Sequence, residues 1–181
     1  MDLKMIVNVC SKAWALPVLA AMGDGVPGRQ VTLLKATGAG RSAFGPSISH
    51  LVDLDLVRRC GGHGHPLRPE FELTDHGRVA AKLAVQALEE VRGFAGRALL
   101  RKAWTFPVIA VLSQEDAYGE VRRALSPITD RALSQSLQSL ERATWIERQV
   151  NVSARPPKPV YQTVGTGARL AEIWLENTEM Q

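Results

Sequence analysis

The chain has 181 residues, of which 45% are hydrophobic and 22% are charged, with a net charge of +4 and a pI of about 9.4. This composition is typical of a folded protein and excludes a disordered polar chain. Charged residues interrupt the apolar runs before they reach the roughly 18 residues of a membrane helix, and the N-terminus lacks a secretion signal. With only two cysteines, these features predict a cytoplasmic protein that does not bind membranes.

The first predicted element recurs later in the chain, since SKAWALPVLA (11 to 20) is almost repeated as RKAWTFPVIA (101 to 110). Both stretches are apolar on most sides, which predicts helices over 12–22 and 102–112 that are buried in a small bundle. The similarity continues at offsets of 89 or 90 through each half of the chain. The sequence therefore predicts two copies of one domain, at 1–93 and 94–181.

Two further helices are predicted in each copy. Short amphipathic helices over 31–38 and 118–125 are followed by helices at about 41–53 and 130–142. The later pair carries apolar residues at i, i+4 and i+7 spacing, which predicts one buried stripe on each helix: Phe44, Ile48 and Leu51, and Leu133, Leu137 and Leu140. Pro46 fits such a helix if Ser42 caps it, because the proline then lies in the first turn.

A β-hairpin with a long tip is predicted next in each copy, from LVRRC with EFEL and from WIERQV with VYQT. A final helix follows at 75–92 and at 166–178. The predicted fold class is mainly α with small β-hairpin wings (α+β), in the order helix, helix, helix, hairpin, helix. The sequence leaves open whether the final helices pack within one chain or between two chains.

This order resembles the winged helix-turn-helix fold of the HxlR-type, MarR-like bacterial transcription regulators. The resemblance rests on KAW at Lys12 to Trp14 and at Lys102 to Trp104, on LVDLDLVRR and LERATWIER, and on FELTDHG and YQTVGTG. Asp55 and Thr144 stand where the family has a glycine, and the second copy lacks the Leu-Thr of the family's strand end. The resemblance implies a transcription regulator that binds double-stranded DNA. Two copies in one chain predict a single-chain pseudodimer on an imperfect inverted repeat.

The resemblance also implies which residues contact DNA. Reading bases in the major groove needs side chains with paired donors and acceptors, which predicts eight candidates on the helices at 41–53 and 130–142: Arg41, Ser42, Ser47, His50, Arg131, Ser134, Gln135 and Gln138. Binding phosphates needs cations, which predicts six candidates around the wings: Arg58, Arg59, Arg68, Arg148, Arg155 and Lys158.

Three other features have structural interpretations. Trp14 and Trp104 are predicted to fill the core between the first helix and the hairpin. Cys60, His63 and His65 form C-x-x-H-x-H, but the second copy has NVSAR there, so we expect a flexible wing without a metal and no cofactor. Cys10 is either buried or a redox sensor, and the sequence leaves both open.

The sequence contains no motif of an enzyme, such as a phosphate-binding loop, a nucleophile elbow or H-E-x-x-H, so we expect no catalytic activity. The alternative function is a protein-docking module, which would bind RNA polymerase or another regulator instead of DNA. The modest net charge and the acidic residues near the predicted reading helices keep this alternative open. Further pairing of two chains into a homodimer is also open.

Overall fold

The computed structural model describes residues 1–61 and 69–178, which form ten helices and four strands. The first half contains α1 (Leu3–Cys10), α2 (Ala15–Gly23), α3 (Gln30–Thr37), α4 (Arg41–Asp53), β1 (Val57–Cys60), β2 (Glu70–Leu73) and α5 (Asp75–Glu90). The second half contains α6 (Gly93–Leu100), α7 (Thr105–Leu112), α8 (Tyr118–Ala124), α9 (Asp130–Arg142), β3 (Ile146–Asn151), β4 (Lys158–Thr163) and α10 (Thr166–Thr178).

The predicted fold class is confirmed, because the described residues are mainly helical and carry two small antiparallel hairpins. The order from α2 to α5 is repeated from α7 to α10, and every predicted element is present within three residues of its expected ends. In the hairpins, Val57 pairs with Leu73 and Ile146 with Thr163, at the end next to the helices. Within the described residues no single helix has the length and apolarity to span a membrane; only α1 and α2 together do so, with a bend of 105° between them.

Helices α1 and α6 were not predicted from the sequence. Each has only eight residues, of which few are fully buried: Ile6, Val9 and Cys10 in α1, and Leu99 and Leu100 in α6. Helix α1 packs against both α2 and α7, so it crosses from the first half onto the second. In the opposite direction, the guanidinium of Arg101, just after α6, lies 4.6 Å from the ring centre of Trp14.

The two halves share a single apolar core, because their buried residues form one continuous cluster. Helices α5 and α10 pack against each other within the chain. Across this contact, Asn177 Nδ2 donates to Gln86 Oε1 at 2.8 Å, and the amino group of Met1 donates to the carbonyl oxygen of Asn177 at 3.2 Å. The contact between the halves therefore combines α1 with α7 and α5 with α10.

Helices α4 and α9 end in the same turn. Asp55 and Thr144 have φ angles of 55° and 56°, in the left-handed region where glycine is favoured. The next residue donates its N–H back to the helix, Leu56 to the Leu51 carbonyl and Trp145 to the Leu140 carbonyl, both at 3.0 Å. This is a Schellman motif, in which the residue after the helix is left-handed and is usually glycine. It explains the glycine at this position in the HxlR-type family.

Glycines hold this turn against the start of the last helix in each half. A Cβ on Gly77 would lie 1.8 Å from the carbonyl oxygen of Leu56, and a Cβ on Gly167 would lie 1.9 Å from that of Trp145. No other residue fits at that distance. The close approach fixes where the hairpin leaves the preceding helix.

The prediction that two tryptophans fill the core was only partly right. Trp14 and Trp104 immediately precede α2 and α7, are half-buried, and pack on the edge of the core. The core between helices and hairpin is filled instead by Trp145, with Phe106 and Trp174 in edge contact at 6.4 Å between ring centres. The guanidinium of Arg101 covers one face of the Trp14 indole.

Candidate nucleic-acid interface

The second helix of each helix pair is held by the predicted buried stripe. Phe44, Ile48 and Leu51 on α4 are buried, as are Leu133, Leu137 and Leu140 on α9. Both helices have 13 residues and end in the same turn, so a residue of α4 corresponds to the residue 89 positions later in α9. Each stripe turns the opposite face of its helix toward solvent.

The two helices begin differently. The Thr129 side chain caps α9 by accepting the N–H of Ala132 at 3.2 Å. Helix α4 starts after Gly40 without a side-chain cap, so the predicted Ser42 cap was wrong. Ser42 is the second residue of α4 and Pro46 lies in the second turn, where the missing N–H of the proline leaves the Ser42 carbonyl without its helical donor.

The outer face of α9 carries most of the residues predicted to read bases in the second copy. Arg131, Gln135 and Gln138 are exposed. Ser134 is half-buried, and its hydroxyl lies 3.3 Å from that of Tyr118 on α8. Arg142, not among the predicted base readers, lies four residues after Gln138 on the same exposed face. The helical period from Arg131 through Gln135 and Gln138 is the signal that leads to it.

The first copy differs, because only Arg41 and Ser42 of its four predicted base readers are exposed. Ser47, also predicted to read bases, is 2% exposed and donates to the Ala43 carbonyl at 2.9 Å, so the structure does not present it at the surface of α4. It lies three residues after Phe44 and four before Leu51, which places it within the buried stripe.

His50 is also engaged by the rest of the protein. Its Nε2 lies 2.8 Å from the carbonyl oxygen of Asn8 and 3.2 Å from the hydroxyl of Ser11. These contacts link α4 to the end of α1. We therefore interpret His50 as part of the scaffold, although the sequence predicted a base reader.

The cations of the first wing are partly paired with carboxylates. Arg58 on β1 donates to Glu72 on β2 at 2.8 Å, and this hydrogen bond holds the pKa of Glu72 below its usual range. Arg29, before α3, lies 3.6 Å from Glu70. Arg59 is exposed, and Arg68 lies outside the described residues.

The second wing keeps its cations open to solvent. Arg148, Arg155 and Lys158 are exposed, and none of them forms an ion pair with another residue of the described ranges. Arg131 and Arg142 on α9 are unpaired in the same sense. In contrast, Arg122 on α8 lies 2.6 Å from Asp130. The hairpin and α9 together therefore present five cations without a neutralising carboxylate.

The two cysteines lie in different environments. Cys10 is 4% exposed, and burial raises the pKa of its thiol to about 12, so it is protonated at neutral pH. Cys60 ends β1 and is half-buried, whereas His63 and His65 lie outside the described residues. Over 1–61 and 69–178, no three His, Cys, Asp or Glu side chains come together as a metal site.

Comparison with known proteins gives a family match in the second half of the chain. Residues 99–180 match the family model of the HxlR-like helix-turn-helix, which confirms the resemblance predicted for this part of the chain. A solved structure described as a MarR-family transcriptional regulator from Porphyromonas gingivalis W83 is 23% identical, covers 45% of this chain and 79% of its own, and has a TM-score of 0.40. No curated protein matches.

Proposed function

From the HxlR-like helix-turn-helix at residues 99–180, we propose that the protein is a transcription regulator that binds double-stranded DNA. A helix-turn-helix places its second helix in the major groove, which here is α9. The observation that carries the proposal is the exposed face of α9, where Arg131, Gln135, Gln138 and Arg142 follow one another at helical spacing. Such a regulator acts by binding and needs no catalytic group, and it resides in the cytoplasm, on the nucleoid when bound to DNA.

The proposal includes a second head, formed by the helix pair α3 and α4 with the wing β1 and β2. Its support is the repeated order of elements, the common turn at Asp55 and Thr144, and the common glycines, Gly77 and Gly167. The halves, 1–93 and 94–181, are joined by a shared core, which favours a single-chain pseudodimer. Two such heads would bind half-sites about one helical turn, roughly 34 Å, apart.

Wing cations supply the sequence-independent part of binding in this proposal. Each Lys or Arg that neutralises a phosphate displaces counterions, so the logarithm of affinity falls by about 0.9 for every unit rise in the logarithm of salt concentration. Arg148, Arg155 and Lys158 are the strongest candidates because no described carboxylate competes for them. We expect a steep salt dependence that a docking module with an apolar contact surface would not have.

The experiment that tests the proposal selects bound sequences from a random duplex DNA library with the full chain. The selected site is then titrated across a salt series, together with Arg131→Ala and a control, Arg92→Ala. Arg92 is exposed between α5 and α6, outside both helix pairs and both wings.

We expect an enriched sequence with at least one defined half-site, bound at least about fivefold more weakly by Arg131→Ala and unchanged by Arg92→Ala, because a base-reading arginine contributes about 1–3 kcal/mol. Absence of any enriched sequence would overturn the proposal. The protein would then be tested as a docking module against RNA polymerase and other regulators.

A further inference from the structure

The outward faces of α4 and α9 can be compared residue by residue, because the two helices share a length, a buried stripe and a terminal turn. On α9, four exposed residues at i, i+4, i+7 and i+11 define a face that we call the α9 face: Arg131, Gln135, Gln138 and Arg142. The corresponding residues define the α4 face: Ser42, Pro46, Ser49 and Asp53, all exposed.

These faces differ in what they can recognise. Glutamine offers a donor and an acceptor together, which suits adenine, and arginine offers two parallel donors, which suit guanine. At the matching positions the α4 face has two short hydroxyls, a proline without any polar side-chain atom, and a carboxylate. Each serine can hydrogen-bond a base edge through a single atom, and the carboxylate can only accept, as from the amino group of cytosine.

The faces also differ in charge. Arg131 and Arg142 give the α9 face two positive charges, whereas Asp53 gives the α4 face one negative charge where its counterpart has Arg142. A carboxylate at this point repels phosphates instead of attracting them.

The remaining polar groups of α4 do not compensate. Ser47 is buried and His50 is held by α1. Arg41 is exposed at the first turn, where the free backbone N–H groups of a helix start also attract phosphate. The first head therefore retains a means to hold the DNA backbone, through Arg41 and Arg59, without a means to read several bases.

Given the DNA-binding function proposed above, we infer that the two heads have different roles on DNA. Helix α9 reads the base sequence of one half-site, and α4 holds the other half-site through its sugar-phosphate backbone. The bound operator is then a half-site of defined sequence beside a second half that tolerates most sequences. This differs from an inverted repeat read from both sides.

The test uses the full chain and the site selected from the library. Affinity is measured for this site and for two derivatives in which one half or the other is scrambled at constant base composition. Two matched double variants are compared with the unaltered protein: Gln135→Ala with Gln138→Ala on α9, and Ser42→Ala with Ser49→Ala on α4. Thermal unfolding of each variant checks that the fold is retained.

We expect scrambling one half to weaken binding at least tenfold and scrambling the other to weaken it less than threefold, given a cost of about 1–3 kcal/mol for each wrong base pair. In the α9 double variant, scrambling the two halves should weaken binding about equally. In the α4 double variant, the two losses should remain unequal, as in the unaltered protein. Equal losses for the two halves, or loss of discrimination in the α4 variant, would overturn the different roles of the heads while leaving the DNA-binding proposal intact. Failure to select any site would instead overturn the proposed function itself.

Discussion

The first and second halves of the molecule have the same backbone fold but different surface residues. In each half the second helix of the pair is followed by a left-handed residue, Asp55 or Thr144, and the first turn of the last helix contains a glycine that touches this turn. In the first half, Thr74 additionally caps α5 by accepting the N–H of Gly77 at 2.9 Å and donates to the Asp55 carbonyl at 2.7 Å. In the second half Val164 takes this place and is held by its backbone, which donates to the Trp145 carbonyl and accepts the N–H of Gly167, both at 2.9 Å.

The comparison shows which positions the fold itself requires. Gly77 and Gly167 occupy the same sterically constrained position and are identical, whereas the exposed positions compared on α4 and α9 have different residues. Because exposed residues contribute little to stability, they are free to differ according to what each head binds. The difference between the halves is therefore informative about function.

The largest expected effect concerns the shared glycines. Gly77→Ala and Gly167→Ala should each lower the free energy of unfolding by about 3 kcal/mol or more, because the added Cβ would overlap a backbone carbonyl and the turn would have to move. Urea denaturation monitored by circular dichroism measures this change. Similar losses in the two variants would support equivalent turns.

Gly45→Ala in α4 and Gly119→Ala in α8 are the matched controls. Among the described residues, no heavy atom outside the neighbouring residues and the backbone of the same helix lies within 4 Å of an added Cβ, so alanine should stabilise each helix by about 0.5–1 kcal/mol. A destabilised control, or a Gly167→Ala protein as stable as the unaltered one, contradicts the steric explanation.

A second comparison concerns the cations of the two wings. Arg148→Ala in the second wing should lower the slope of log affinity against log salt by about 1, because Arg148 has no carboxylate among the described residues and is available to phosphate. Arg58→Ala in the first wing should change the slope less, since Arg58 already binds Glu72 at 2.8 Å. Fluorescence anisotropy with the selected DNA at several salt concentrations measures both slopes. A larger change for Arg58→Ala would reverse the proposed order of the wings.

The sequence predicted the repeated elements because each contains enough apolar periodicity to be recognised, as in the stripes of α4 and α9. It did not predict α1 and α6, because their eight residues make too few turns to show an apolar period. Among the site residues, Arg131 and Gln138 are exposed as expected, whereas Ser47 and His50 are occupied by contacts within the protein. Which polar side chains remain free depends on how α1 and the helices pack, and local spacing does not specify that.

A third comparison concerns equivalent positions at the ends of α1 and α6, occupied by Cys10 and Leu100 and both buried. Burial raises the pKa of Cys10 to about 12, above its ordinary value of 9.0, so the folded state favours the neutral thiol. The free energy of unfolding is not reduced by this thiol below pH 9. It falls as the pH rises from 9 toward 12, because the thiol then ionises only in the unfolded chain. Between pH 9 and pH 10 the loss should be about 1 kcal/mol.

The control for this pH dependence is Cys10→Ala, which should remove the additional slope between pH 9 and pH 10 while leaving the titration of the exposed groups. Urea denaturation at each pH gives the free energies. The folded protein should also leave Cys10 unmodified by a thiol reagent at pH 7, whereas Cys60 reacts. Rapid modification of Cys10 in the folded state would contradict burial and would restore the redox-sensor hypothesis.

The smallest expected effect distinguishes the two left-handed residues, Asp55 and Thr144. A β-branched residue is strained at a φ of 56°, whereas aspartate tolerates this region, so Thr144→Gly should raise the free energy of unfolding by about 0.5–1 kcal/mol and Asp55→Gly should change it less. Thr144→Val is the control, because it keeps the branch and removes only the hydroxyl, which donates to the Ala143 carbonyl at 2.7 Å. If valine stabilised the protein as much as glycine, the hydroxyl and not the branched Cβ would be the source of the strain. The turns at Asp55 and Thr144 would then differ through this polar group and not through the conformational strain of the backbone.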